Sequence, residues 1–103
     1  MTRKEALQEL LVKVKAGEWG WMSREGAELP PIAYDAYNGS LDASISLFEA
    51  VLPGWGYEVW RDDGNAMVQV WPFEDVFYCG VNASPSRALL IAILEALVAL
   101  EDG

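Results

Sequence analysis

The chain has 103 residues, 52% of them apolar and 22% charged, with a formal charge of −9. That length and composition describe one folded domain with a real core and exclude a disordered chain. The charge is uneven: residues 1–16 carry a net +2, whereas residues 17–103 set three arginines against fourteen acids, a net −11. Such a surface repels phosphate and argues against binding a DNA or RNA duplex. A basic protein partner is electrostatically easier, as is a role as an acidic DNA mimic.

No apolar run approaches the roughly 18 residues that a bilayer span needs, so no membrane association is expected. The opening Met1-Thr2-Arg3-Lys4-Glu5 lacks the apolar region of a secretory signal. The single cysteine, Cys79, can form no internal disulfide and fits a reducing compartment. Together these predict a cytoplasmic protein, with Cys79 as a small apolar filler buried in a strand.

Taken in chain order, Thr2-Arg3-Lys4-Glu5 has capping-box spacing, and Leu7, Leu10, Leu11 and Val14 form one apolar stripe. Lys13 and Lys15 suit the negative end of the dipole and Gly17 can supply a left-handed cap, which places a first helix at about 3–16. Residues 17–39 are broken by Gly17, Gly20, Gly26, Pro30, Pro31 and Gly39, yet contain Trp19, Trp21, Tyr34 and Tyr37. They read as an irregular aromatic loop, functional or packed by its own side chains, with room for a short edge strand near 19–22. Ser40 caps a second helix that carries Leu41, Ile45, Phe48 and Leu52 and stops at Pro53-Gly54.

Asp63-Gly64 then signals a two-residue hairpin turn. Centring the turn there pairs Val59 with Val68 and Tyr57 with Val70 on a face assigned to the core. The other face pairs Trp60 with Met67 and Glu58 with Gln69, and with Trp71 it holds more apolar surface than a water-facing side needs. A third strand is predicted at about 76–82. Ser84 and Pro85 open a last helix in which only Glu95 is polar between Ala88 and Leu100. On a helical wheel Ile91, Leu94 and Val98 interrupt its charged sector of Arg87, Glu95, Glu101 and Asp102. That second apolar face must be covered by the first helix, another subunit or a partner.

The elements add up to an α/β chain of the α+β type, a small antiparallel sheet of three to four strands packed by helices in the order α-α-β-β-β-α. One domain, 1–103, divides into a helix (1–16), an aromatic-rich loop (17–39) and an α-β-β-β-α core (40–103).

The chain has no histidine, which removes the commonest general base and metal ligand and with it zinc sites and Ser-His or Cys-His pairs. No phosphate-binding glycine motif is present; Gly54-Trp55-Gly56 reads as a turn. The carboxylate pairs Asp62-Asp63 and Glu74-Asp75 are explained by a hairpin turn and a surface loop better than by a metal. Asn38-Gly39-Ser40 and Asn82-Ala83-Ser84 match a glycosylation triplet that a non-exported chain does not use. No catalytic residue, metal or cofactor is predicted, and the chain is read as a non-enzyme.

Five tryptophans are the stronger lead. Trp19, Trp21, Trp55, Trp60 and Trp71, with Tyr34, Tyr37 and Tyr57, could stack on a planar ligand or anchor an interface, with Trp19, Trp21, Tyr37, Trp60 and Trp71 the residues singled out, and Arg24, Arg61 and Arg87 could meet phosphate, Arg87 beside a helix N-terminus. The plainer reading has the aromatics filling the core and the arginines paired with acids. Ile91, Leu94 and Val98, or the Trp60 face, are assigned to an oligomer or partner contact, with a homodimer expected.

Three stretches carry a resemblance: Ala36-Tyr37-Asn38-Gly39-Ser40-Leu41-Asp42-Ala43, then Leu52-Pro53-Gly54-Trp55-Gly56-Tyr57, then Ser84-Pro85-Ser86-Arg87-Ala88-Leu89-Leu90-Ile91-Ala92-Ile93-Leu94. They resemble the phage ABA-sandwich family of small phage and prophage proteins, over about residues 34–100. The resemblance implies a phage origin and supplies no catalytic set. It leads to an expectation of an accessory protein acting by binding, as an inhibitor of a host defence protein. The alternatives are a sponge for a nucleotide signal and a structural or assembly accessory of the phage.

Overall fold

The computed structural model describes residues 2–73 and 75–102, without the side chain of Asp102. Met1, Glu74 and Gly103 lie outside the described residues, and so does the Glu74 half of the Glu74-Asp75 pair. Five helices and three strands follow in the order α1 (Arg3–Lys15), α2 (Trp21–Gly26), α3 (Ile32–Tyr37), α4 (Leu41–Val51), β1 (Gly56–Asp62), β2 (Asn65–Trp71), β3 (Tyr78–Asn82) and α5 (Pro85–Asp102). This is an α+β fold with one antiparallel sheet in the order β1-β2-β3.

Local chemistry explains where most elements begin. Thr2 and Glu5 complete a reciprocal capping box at α1, with the Glu5 amide 3.2 Å from the Thr2 hydroxyl. Ser40 Oγ accepts from the Ala43 amide at the start of α4. Asp63 and Gly64 both take positive φ, 51° and 81°, as the predicted tight hairpin turn requires. The register follows as predicted, with Val59 opposite Val68, Tyr57 opposite Val70, Trp60 opposite Met67 and Glu58 opposite Gln69.

The segment 17–39 departs from the expected irregular loop. It holds the two short helices α2 and α3, and Trp21 starts a helix where an edge strand was considered. Six residues are too few to show a helical period, and neither helix has a side-chain cap. Arginines hold the segment instead. Arg3 Nε donates to the Ala27 carbonyl at 2.9 Å, Arg24 Nη1 to Leu29 at 2.7 Å and Arg87 Nε to Tyr37 at 2.6 Å. Carbonyls at and beyond helix C-termini lack intrahelical partners, and cationic donors satisfy them well.

The apolar surplus of α5 is resolved within the chain. One side of α5 packs on β2 and β3, and others meet α1, α3 and α4, so the helix is the centre of the molecule. Glu95 reaches Lys15 at 3.9 Å and Glu101 reaches Arg3 at 3.2 Å, which turns the charged sector toward α1. Ile91 and Leu94 in that sector are 2% and 0% exposed, and Val98 is half-buried. Ile91 and Leu94 are therefore core residues and Val98 packs against the core, correcting their assignment to an oligomer or partner face: α1 supplies the cover, with Leu7, Leu10, Leu11 and Val14 all buried. Each buried leucine contributes about 2 kcal/mol through apolar area removed from water.

On its sheet side α5 approaches unusually closely, because a Cβ on Gly80 would strike the Ala88 carbonyl and the Ala92 amide. The helix sits over β2 and β3, leaving β1 as an overhanging edge. Val68 and Val70 are buried as expected, but Tyr57 and Val59, assigned to the core by pairing, are 41% and 37% exposed. Tyr57 meets Phe48 at the edge of the helical layer, with ring centroids 5.2 Å apart.

Candidate binding surfaces

Strand alternation and register divide the sheet into two faces. Ala66, Val68, Val70, Tyr78 and Gly80 look toward the helices; Trp60, Met67 and Val81 form a row on the opposite face. Beside that row lie Glu58, Gln69 and Cys79, then Trp71, which lies across Gly56 and meets Phe77 at a centroid separation of 5.7 Å. No helix packs on this second face among the described residues: Trp60, Val81 and Phe77 remain 37%, 46% and 49% exposed.

Cys79 corrects an expectation in the same place. It is exposed, because odd-numbered residues of β3 point away from α5 and the buried partner of Val68 is Gly80. The charged side chains of the open face are Glu58 and Asp62, opposite Gln69 and Asn65. Arg61, grouped with Trp60 in the sequence, alternates to the helical face of the overhanging edge and is exposed there. Trp60 and Trp71 thus share a surface from which Arg61 is excluded.

A second cluster forms at the other end of the fold. Trp19, Trp21, Arg24, Pro31 and Tyr34 line a cleft of about 490 Å³. Trp19 is its fixed member, edge-on to Tyr34 at 5.5 Å and tilted against Tyr37 at 5.3 Å. Its Nε1–H is buried and has no acceptor among the described residues. Arg87 braces this set from behind, its guanidinium 4.2 Å above the Tyr37 ring. The predicted residues Trp19, Trp21, Arg24, Tyr37 and Arg87 therefore converge, while Trp60 and Trp71 lie on the sheet.

The arginines are committed otherwise than expected. Arg87 and Arg24 donate to backbone carbonyls, and Arg24 also lies 3.8 Å from Glu25, so neither is a dedicated phosphate ligand. The aromatics only partly fill the core, which is built chiefly of Leu, Ala, Val and Ile; Trp21 is 55% exposed and Tyr34 49%. Sequence reasoning named Tyr34 among the stacking aromatics but missed Pro31 as a cleft residue. The Pro30-Pro31 pair was a usable signal, since proline favours the first turn of a helix and would have placed Tyr34 on it.

A further concavity, lined by Ile32, Asp35, Asn38, Ser40, Asp42, Ala43 and Ser46, is open and acidic. Among the described residues no three histidine, cysteine or carboxylate groups stand close enough to share a metal, and no helix is long and apolar enough to cross a membrane. No protein-family model, curated protein or solved structure matches this chain.

Proposed function

We propose that this chain acts by binding rather than by chemistry, and that the open face of its sheet receives a protein partner with a basic amphipathic surface. The observation that carries this reading is the uncovered row of Trp60, Met67 and Val81, continued by Trp71 and Phe77 and edged by Glu58 and Asp62. Contiguous exposed apolar surface of this kind marks interaction sites, and Trp is the commonest anchor within them. The acidic edge and the net −9 charge select a partner with apolar residues flanked by Lys or Arg and oppose a second acidic copy of the chain. On the family resemblance, the setting is a phage or prophage and the partner a host protein whose surface is occluded.

Cys79 lies within this face and is its natural reporter. A Lys/Leu amphipathic helical peptide should slow alkylation of Cys79, and the Glu/Leu version should not. Trp60→Ser should remove the protection. Equal alkylation with and without the Lys/Leu peptide, or protection that survives Trp60→Ser, rejects the assignment. Light scattering that shows a dimer dissociated by Trp60→Ser would assign the face to a second copy instead.

A further inference from the structure

We propose that the cleft between α2 and α3 is a separate docking site for a proline-rich segment with basic flanks. Its walls are three aromatic rings and a pyrrolidine: Trp19, Trp21, Tyr34 and Pro31. The floor is rigid, since Trp19 is held by Tyr34 and Tyr37, and Tyr37 lies under Arg87. The rim is left in water, with Trp21 55% and Tyr34 49% exposed. Large rings held apart by packing present a preformed slot, which reduces the ordering cost of binding.

The polar chemistry of the lining narrows the occupant. Indole and guanidinium groups donate hydrogen bonds and accept none; only the Tyr34 hydroxyl can do both. The exposed indole is that of Trp21, 55% exposed, whereas the Trp19 nitrogen is buried. The occupant should therefore be apolar, rich in acceptors and poor in donors. A polyproline II segment has that character: its prolines lack N–H groups, its carbonyls project outward, and the conformation exists before binding.

Charge separates this occupant from a nucleotide. Residues 17–39 hold one arginine against Glu18, Glu25, Glu28 and Asp35, a net −3. Arg24 already donates to the Leu29 carbonyl and lies beside Glu25. An anionic phosphate meets repulsion here, whereas Lys or Arg residues flanking a proline run are attracted.

The test is calorimetric titration of the intact chain with a decaproline peptide carrying an arginine at each end. Saturable binding is expected, weakened roughly tenfold by replacing the prolines with alanine and weakened by salt. Trp21→Ala should cost roughly tenfold, and Tyr34→Ala about fivefold. Circular dichroism verifies each fold; should Tyr34→Ala unfold, Trp21→Ala decides. Trp60→Ser should leave the titration unchanged, so failure here and failure of the sheet face are distinguishable. No saturable binding, equal binding of the alanine peptide, or preferential binding of ATP overturns the proposal.

Discussion

Arg87 holds Tyr37 twice: Nε donates to its carbonyl at 2.6 Å, and the guanidinium lies 4.2 Å above its ring. The two residues are fifty positions apart, so this contact ties the start of α5 to the end of α3. A planar guanidinium can serve both geometries at once, whereas an ammonium serves one. Arg87→Ala should lower unfolding free energy by about 2 kcal/mol, with Arg87→Lys recovering less than half. Urea denaturation measures both; a lysine variant as stable as the parent would show that charge alone suffices.

Gly80 and Gly17 should respond differently to the same added methyl group. At Gly80 it collides with the backbone of α5, which neither residue can yield, and Gly80→Ala should cost about 3 kcal/mol. At Gly17 nothing lies within 4 Å, and the penalty comes only from a φ of +80°, so Gly17→Ala should cost about 1 kcal/mol. Paired thermal melts read the difference. Equal losses would mean that α5 can slide on β3.

Leu94 and Trp60 separate core from surface. Leu94→Ala should destabilise by about 3 kcal/mol, because its side chain is fully buried beneath α1. Trp60→Ser should change stability by no more than about 1 kcal/mol, since the ring packs on an exposed strand pair. If Leu94→Ala altered oligomeric state while leaving the denaturation midpoint unchanged, the burial of α5 within a single chain would be wrong.

The capping box makes part of the stability depend on pH. The backbone amide and then the hydroxyl of Thr2 hold Glu5 below the ordinary carboxylate value. A carboxyl depressed on folding stabilises above its unfolded value, and that contribution disappears as pH falls through the folded one. Glu5→Ala should therefore be less stable than the parent at neutral pH and indistinguishable from it once acid has protonated Glu5. Denaturation across the acidic range checks the sign, and a gap that widens toward low pH would contradict it.

The hairpin was legible because turn chemistry and alternation act within a few residues: Asp63-Gly64 sets the register, and Tyr57 to Val70 follow from it. The caps of α1 and α4 were legible for the same reason. The short helices α2 and α3 were not, because their hydrogen bonds go to arginines remote in sequence for Ala27 and Tyr37, a relationship that no local pattern carries. The aromatic residues were flagged as a set, but their division between the cleft and the sheet depends on which loop meets which helix.

The sequence by itself determined the α+β class, the long helices and strands in their order, the hairpin pairing and a last helix too apolar to face water, since these depend on local spacing and period. Only the tertiary structure decided what covers that helix. The Gly80 approach brings α5 over β3 and β2, and the Arg3 and Lys15 ion pairs draw α1 across its other side. Ile91 and Leu94 thereby enter the core, while the same placement leaves β1 overhanging and no helix on the reverse of the sheet among the described residues. Of the two apolar surfaces that the sequence offered, the one on α5 is covered and the Trp60 row stays exposed, because burial is decided by which surfaces pack together and not by how apolar each one is.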